Sequence, residues 1–109
     1  MPNVLEVLGQ AAPAAATETD LATVPGATNY LVSSIVITNR SATPTTFRLS
    51  VSVGGGATQT KDYLAFDAPI DGNDVVVYTV GLGMQQTDVL RCYATLATLS
   101  FNAMGQSQT

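Results

Sequence analysis

The chain has 109 residues, 46% apolar and only 11% charged, with a net charge of −4, one cysteine and no histidine. A chain of that length fits one domain, which buries roughly 65% of its unfolded surface and so forms a core without disulfide or metal staples. The composition excludes an intramolecular disulfide and an imidazole-activated serine or cysteine nucleophile, and it argues against a protein zinc site.

The charged share is less than half of the usual quarter or so, which leaves Ser, Thr, Ala, Gly, Gln and Asn to cover the surface. Such a surface points to assembly with partners. The four basic residues Arg40, Arg48, Lys61 and Arg91 are scattered, so no phosphate-binding stripe and no nucleic-acid partner are expected. No apolar run reaches the ~18 residues needed to cross a bilayer, which argues against a membrane partner. A basic segment followed by an apolar stretch is missing from the N-terminus, so no secretory leader is expected and synthesis in the cytoplasm is the default.

In chain order, residues 1–10 (MPNVLEVLGQ) carry Val4, Leu5, Val7 and Leu8 on a short helix or strand. An alanine-rich segment follows, which Pro13 keeps from being one continuous helix. Residues 1–16 read either as an edge strand of the domain or as an arm reaching onto a neighbour, with residues 17–109 as the domain proper. Residues 19–24 form a brief strand closed by the turn pair Pro25-Gly26.

The clearest pattern lies in residues 30–53, YLVSSIVITNRSATPTTFRLSVSV. Phe47, Leu49, Val51 and Val53 alternate with Thr46, Arg48, Ser50 and Ser52, the period-two signature of a strand with one buried and one wet face. Leu31, Ile35 and Ile37 share one parity on a second, less cleanly amphipathic strand. A polar connection ending near Pro44 separates them, and together they predict a β-hairpin.

Residues 54–59 then predict a mobile glycine-rich tip, since no Lys-Thr pair or helix start follows to make a phosphate cradle. Residues 61–66 predict a further strand, and Asp71-Gly72-Asn73-Asp74 a tight turn. The continuous run at residues 75–80 suits a strand covered on both faces. Residues 88–95 and 98–104 read as a closing pair of strands.

Seven or eight short strands with no long helical period predict an all-β fold, an antiparallel β-sandwich of jelly-roll type. The expected core comprises Ile35, Ile37, Leu49, Val51, Val76, Tyr78, Leu90, Leu99 and Phe101. Cys92 shares its parity with Leu90 and Ala94, which predicts a buried inert thiol, the alternative being an exposed thiol that crosslinks subunits.

The remaining chemistry is sparse. Asp62 with Asp67, and Asp71 with Asp74, are the carboxylate pairs that could act as acid and base or hold Ca²⁺, but aspartates at turns and strand ends commonly bond only to backbone. Neither a catalytic residue nor a cofactor is expected, and the chain reads as non-enzymatic. Tyr63 and Tyr93 are candidate sugar platforms, though without tryptophan they are better read as packing groups.

The runs LGQAAPAAATETDLATVPGAT, SSIVITNRSATPTTFRLSV, KDYLAFDAPIDGNDV and TDVLRCYATLATLSFNAMG resemble a group of small structural proteins of tailed bacteriophages, over nearly the whole span from Leu8 to Gly105. The resemblance implies a virion protein of β-sandwich type. Within it, a capsid decoration or cement protein is the favoured expectation, bound as a homotrimer to the major capsid protein or other virion proteins, with the apolar residues Val4, Leu5, Val7 and Leu8 and the cations Arg40 and Arg48 as candidate contacts. A tail, neck, baseplate or fibre-associated role is the alternative, and a carbohydrate-binding module the third.

Overall fold

The computed structural model describes residues 3–109. Eight strands dominate it: β1 (Asn3–Ala11), β2 (Thr19–Thr23), β3 (Asn29–Asn39), β4 (Thr45–Ser52), β5 (Tyr63–Ile70), β6 (Val75–Met84), β7 (Val89–Ala94) and β8 (Leu99–Gln108). Two single 3₁₀ turns, Val53–Gly55 and Thr60–Asp62, lie between β4 and β5.

The chain pairs as a long ribbon folded at its middle, β1 with β8, β2 with β7, β3 with β6 and β4 with β5, each pair antiparallel. The ribbon wraps so that β3 also pairs with β8, and β4 with β7. Two four-stranded sheets result, ordered β1-β8-β3-β6 and β2-β7-β4-β5. That is the strand order of a jelly-roll sandwich, the fold type expected from seven or eight short strands with no long helical period.

The core lies between the sheets. Ile35, Ile37, Leu49, Leu90, Leu99 and Phe101 are fully buried, and Val51, Val76 and Tyr78 pack against them half-buried. Phe47 of β4 bridges the layers, edge-on to Phe101 of β8 at 6.2 Å and to Tyr78 of β6 at 6.0 Å. Each buried phenylalanine stabilises the fold by roughly 2–3 kcal/mol through area alone, and edge-to-face pairing adds to that.

Several pairings differ from expectation. β3 and β4 are not a hairpin: they lie in opposite sheets, and residues 40–44 carry the chain across the core edge. Alternation assigns a strand's faces and says nothing of its partners. The crossing is organised by Asn39, 1% exposed, whose amide donates to the carbonyls of Thr43 (2.9 Å) and Asp71 (3.2 Å) while its Oδ1 accepts from the Ser41 N–H. The turn after β5 is tied to the same point, because the Asn73 N–H donates to the Ser41 carbonyl. β7 and β8 likewise fall in different sheets instead of closing as a pair.

β3 also switches parity. Val32 and Ile35 are both buried because the register shifts between Val32 and Ser34 against both neighbours, a bulge that turns the strand over once. The strand expected at residues 61–66 begins at Tyr63 and runs on to Ile70. The glycine tip is pinned rather than loose, with Arg91 donating to the carbonyls of Gly55 and Gly56 and the Gly54 N–H donating to Asp88. Finally, β6 is covered on one face only, with Val75 and Val77 50% and 55% exposed.

Candidate interaction surface

Because side chains alternate along each strand, register identifies which residues share the outer face of the first sheet. β1 contributes Leu5 and Val7, opposite Gln106 and Met104 of β8. Gln10 joins them further along, donating to Asn102 across the pair at 2.7 Å. β3 adds Leu31, Ser34, Val36 and Thr38, and β6 adds Thr79, Val77 and Val75 opposite the last three. None of these residues is charged. Leu5, at 82% exposed, and Val7, Leu31, Val75 and Val77 stand in solvent.

The outer face of the second sheet has the opposite character. Arg48 donates to Asp67 at 2.7 Å, and its guanidinium lies 4.2 Å from the centre of the Phe66 ring and 4.4 Å from that of Tyr93. Its pKa is raised first by that hydrogen bond and then, against some desolvation, by the Asp67 charge. Tyr63 meets Phe66 edge-on at 4.8 Å, so the tyrosines proposed as sugar platforms are engaged with their own chain. Alongside, Arg91 pairs with Asp20 at 3.0 Å and donates to Ser52, Thr58 and the glycine-loop carbonyls. Among the described residues, the charges on the strands of the second sheet are held in matched pairs. By register no charged side chain among them stands on the outer face of the first, Glu6 of β1 having the opposite parity and accepting from the Ser107 hydroxyl.

The six candidate contact residues separate on this frame. Leu5 and Val7 lie together on the charge-free face. Leu8 occupies the bulge between Val7 and Gly9 and packs half-buried against the core, while Val4 sits opposite Ser107, on the inward parity of β8. Arg40 is exposed at the β3–β4 crossing and donates to the Ala97 carbonyl at 3.1 Å. Arg48 is held within its own chain as described. Residue patterns missed Asn39, Asp88 and Arg91 as organisers. The signal for Arg91 is its position inside an otherwise apolar strand, between Leu90 and Cys92.

The carboxylates have local structural roles. Asp62 accepts from the Gln59 N–H and caps the second 3₁₀ turn, and Asp74 accepts from the Val75 N–H. Asp88, buried, accepts from the N–H groups of Gly54 and Gln85, both at 2.9 Å. Among the described residues no three His, Cys, Asp or Glu side chains group as metal ligands.

Cys92 is buried, 1% exposed, and burial pushes its thiol up to about 12, with the charges of Asp20 and then Glu18 adding to the shift. The folded state therefore holds a proton that the unfolded chain releases near its ordinary value of about 8.5. The stability from this group is fully present below that value and falls as pH rises towards 12, by at most about 1.4 kcal/mol per pH unit. Urea midpoints measured from neutral to alkaline pH should fall more steeply for the native chain than for Cys92→Ala. Parallel curves would show that Cys92 is not the titrating group.

No family model matches the chain, and no curated protein matches it significantly. Among solved structures it is similar to the crystal structure of a pentameric capsid protein isolated from metagenomic phage sequences, at 15% identity and a TM-score of 0.43. The alignment covers 95% of this chain and 61% of that one, so this chain spans less than two thirds of the capsid protein's length. A likeness of that degree carries neither fold nor role from one chain to the other.

Proposed function

We propose that the chain is a non-enzymatic bacteriophage virion protein that decorates a head shell, seating the charge-free outer face of the β1-β8-β3-β6 sheet on the major capsid protein. The observation that carries this reading is the segregation of charge, with Leu5, Val7, Leu31, Val75 and Val77 exposed on a face that has no charged side chain among the described residues, while the strands of the opposite sheet hold their charges in pairs. Charge depletion and exposed aliphatic area are what the centre of a protein interface requires. The phage resemblance of the sequence and the use of jelly rolls in viral capsids agree with it, although the fold alone hosts many functions.

The mechanism is additive. Four strands about 4.8 Å apart and nine to eleven residues long give a face of roughly 19 by 33 Å, around three quarters of one partner's share in a standard interface. Each contact is then modest, and many identical copies stabilise the shell by mass action, since each binds the assembled form and not its dispersed subunits.

Substitution is a cleaner test than deletion, because β1 is hydrogen-bonded to β8 along its length. Leu5→Lys with Val7→Lys places two cations on the face without touching the core, and should lower co-sedimentation with phage heads by about tenfold or more. Unchanged co-sedimentation would remove this face from the reading. Copy number per particle tests the location, because hundreds fit decoration whereas a handful would move the protein to the tail, neck or baseplate.

A further inference from the structure

The four tyrosines and three phenylalanines of the chain are unevenly placed. Phe47, Phe101 and Tyr78 pack in the core, whereas Tyr63, Phe66 and Tyr93 gather with Arg48 on the outer face of the second sheet. β5 is distorted to bring them there. One residue separates Phe47 from Leu49 in β4, but two, Phe66 and Asp67, separate their partners Ala68 and Ala65. That bulge holds Asp67 at a φ of 51°, a conformation that is costly for a residue with a Cβ. A second register shift, at Leu64, lets Tyr63 and Phe66 share a face although they are three positions apart.

The cluster is polar as well as aromatic. Phe66 remains 57% exposed with the Arg48 guanidinium stacked 4.2 Å from its ring centre. The ion pair beside it uses only Nε of Arg48 and Oδ1 of Asp67, and both side chains reach solvent, at 28% and 47% exposed. Among the described residues, the Arg48 Nη groups and Asp67 Oδ2 make no hydrogen bond. Spare donors and a spare acceptor therefore stand at fixed positions beside an exposed ring, on a strand whose bulges and strained backbone are features of recognition sites.

We propose that this cluster binds a neutral sugar, with one pyranose ring laid on Phe66. Other classes of occupant fail on particular features. A phosphate or an acidic polymer meets a neutral ion pair on a chain of net charge −4. A cation finds the ring already holding a guanidinium. A purely aliphatic surface would bury the spare Nη donors and Oδ2 without partners. A pyranose satisfies all three conditions: it is uncharged, its C–H groups meet the negative face of an aromatic ring, and of two neighbouring hydroxyls one donates to Asp67 Oδ2 while the next accepts from Arg48. Tyr63 and Tyr93 then serve as supports that hold Phe66 and Arg48 in place, not as platforms. The site rests on the second sheet alone and not on the virion reading, in which this face points away from the shell.

The test is an NMR titration of the isotope-labelled full chain with the methyl glycosides of glucose, galactose, mannose and N-acetylglucosamine and, separately, with inorganic phosphate. Saturable shifts confined to the amides around Phe66, Asp67 and Tyr93 are expected with at least one glycoside, at a Kd of about 1–10 mM for a single small neutral ring. That shift map in the unsubstituted protein is a readout independent of any variant's folding. Phe66→Ala should weaken binding by about tenfold or more, and Phe66→Trp should retain it. No saturable shift with any glycoside, shifts centred elsewhere, binding that survives Phe66→Ala, or a response to phosphate alone would each overturn the sugar site.

Discussion

Gly105→Ala should lower stability by about 3 kcal/mol or more, a fall in Tm of roughly 12 °C or beyond for a domain near 100 residues. Gly105 sits in β8 between Glu6 of β1 and Val32 of β3, at the point where β3 bulges. A Cβ there would collide with the Leu31 carbonyl and come within 2.9 Å of the Ser33 N–H nitrogen. Both obstacles are backbone, so no side-chain rotation relieves them. The bulge is also what lets Val32 and Ile35 both face inward, and straightening it would move Val32 or the Ile35-Ile37 pair to solvent. Gly26→Ala is the control: nothing lies near its Cβ position, and the change should stay within about 0.5 kcal/mol. Urea unfolding of the two variants decides it, and equal midpoints would show that the bulge does not depend on Gly105.

Arg91→Ala is expected to be the costliest polar change, at about 2–4 kcal/mol. The side chain is only 13% exposed and joins three segments, the Asp20 strand, the end of β4 at Ser52, and the glycine loop through Gly55, Gly56 and Thr58. Thr58 in turn donates to Glu18, so the loop is tied to the start of β2 as well. Truncation leaves two loop carbonyls without this donor and Asp20 without its cation. Arg91→Lys should recover only part of the loss, because one ammonium cannot span the fork of donors that the guanidinium supplies. Stability of both variants, together with limited proteolysis between residues 53 and 62, checks this. A loop that stays protease-resistant in Arg91→Ala would mean that Asp88, bonded to the Gly54 N–H, holds it alone.

The same contrast between faces and partners explains what could be read in advance. The alternation of Phe47, Leu49 and Val51, and the parity shared by Leu90, Cys92 and Ala94, identified residues that face the core, because a strand's side chains alternate whatever it pairs with. The side of β4 expected to be wet is nevertheless covered at Ser50 and Ser52, each 2% exposed, and Val53, expected inside, leaves the strand for a 3₁₀ turn and stands 83% exposed. The antiparallel sandwich, though not its strand pairing, was legible from the core-facing residues together with the count of seven or eight short strands. The expected hairpin at residues 30–53 was not, since Asn39 turns the chain out of one sheet and into the other. A polar loop of that length looks the same whether it joins neighbours or crosses between layers.

The candidate surface was legible only in part. Leu5 and Val7 could be singled out as apolar residues with nothing local to bury them, but the bulge that sends Leu8 back to the core is set by pairing with β8. Leu31, Val75 and Val77 are separated from Leu5 by tens of residues, and only the ribbon's wrapping brings them onto one face. Local chemistry thus determined the strands, their buried sides and the scarcity of charge. The tertiary structure alone decided where the few charges went, because pairing Arg48 with Asp67 and Arg91 with Asp20 requires strands distant in sequence to lie side by side. The face left without charge is the other half of that same arrangement.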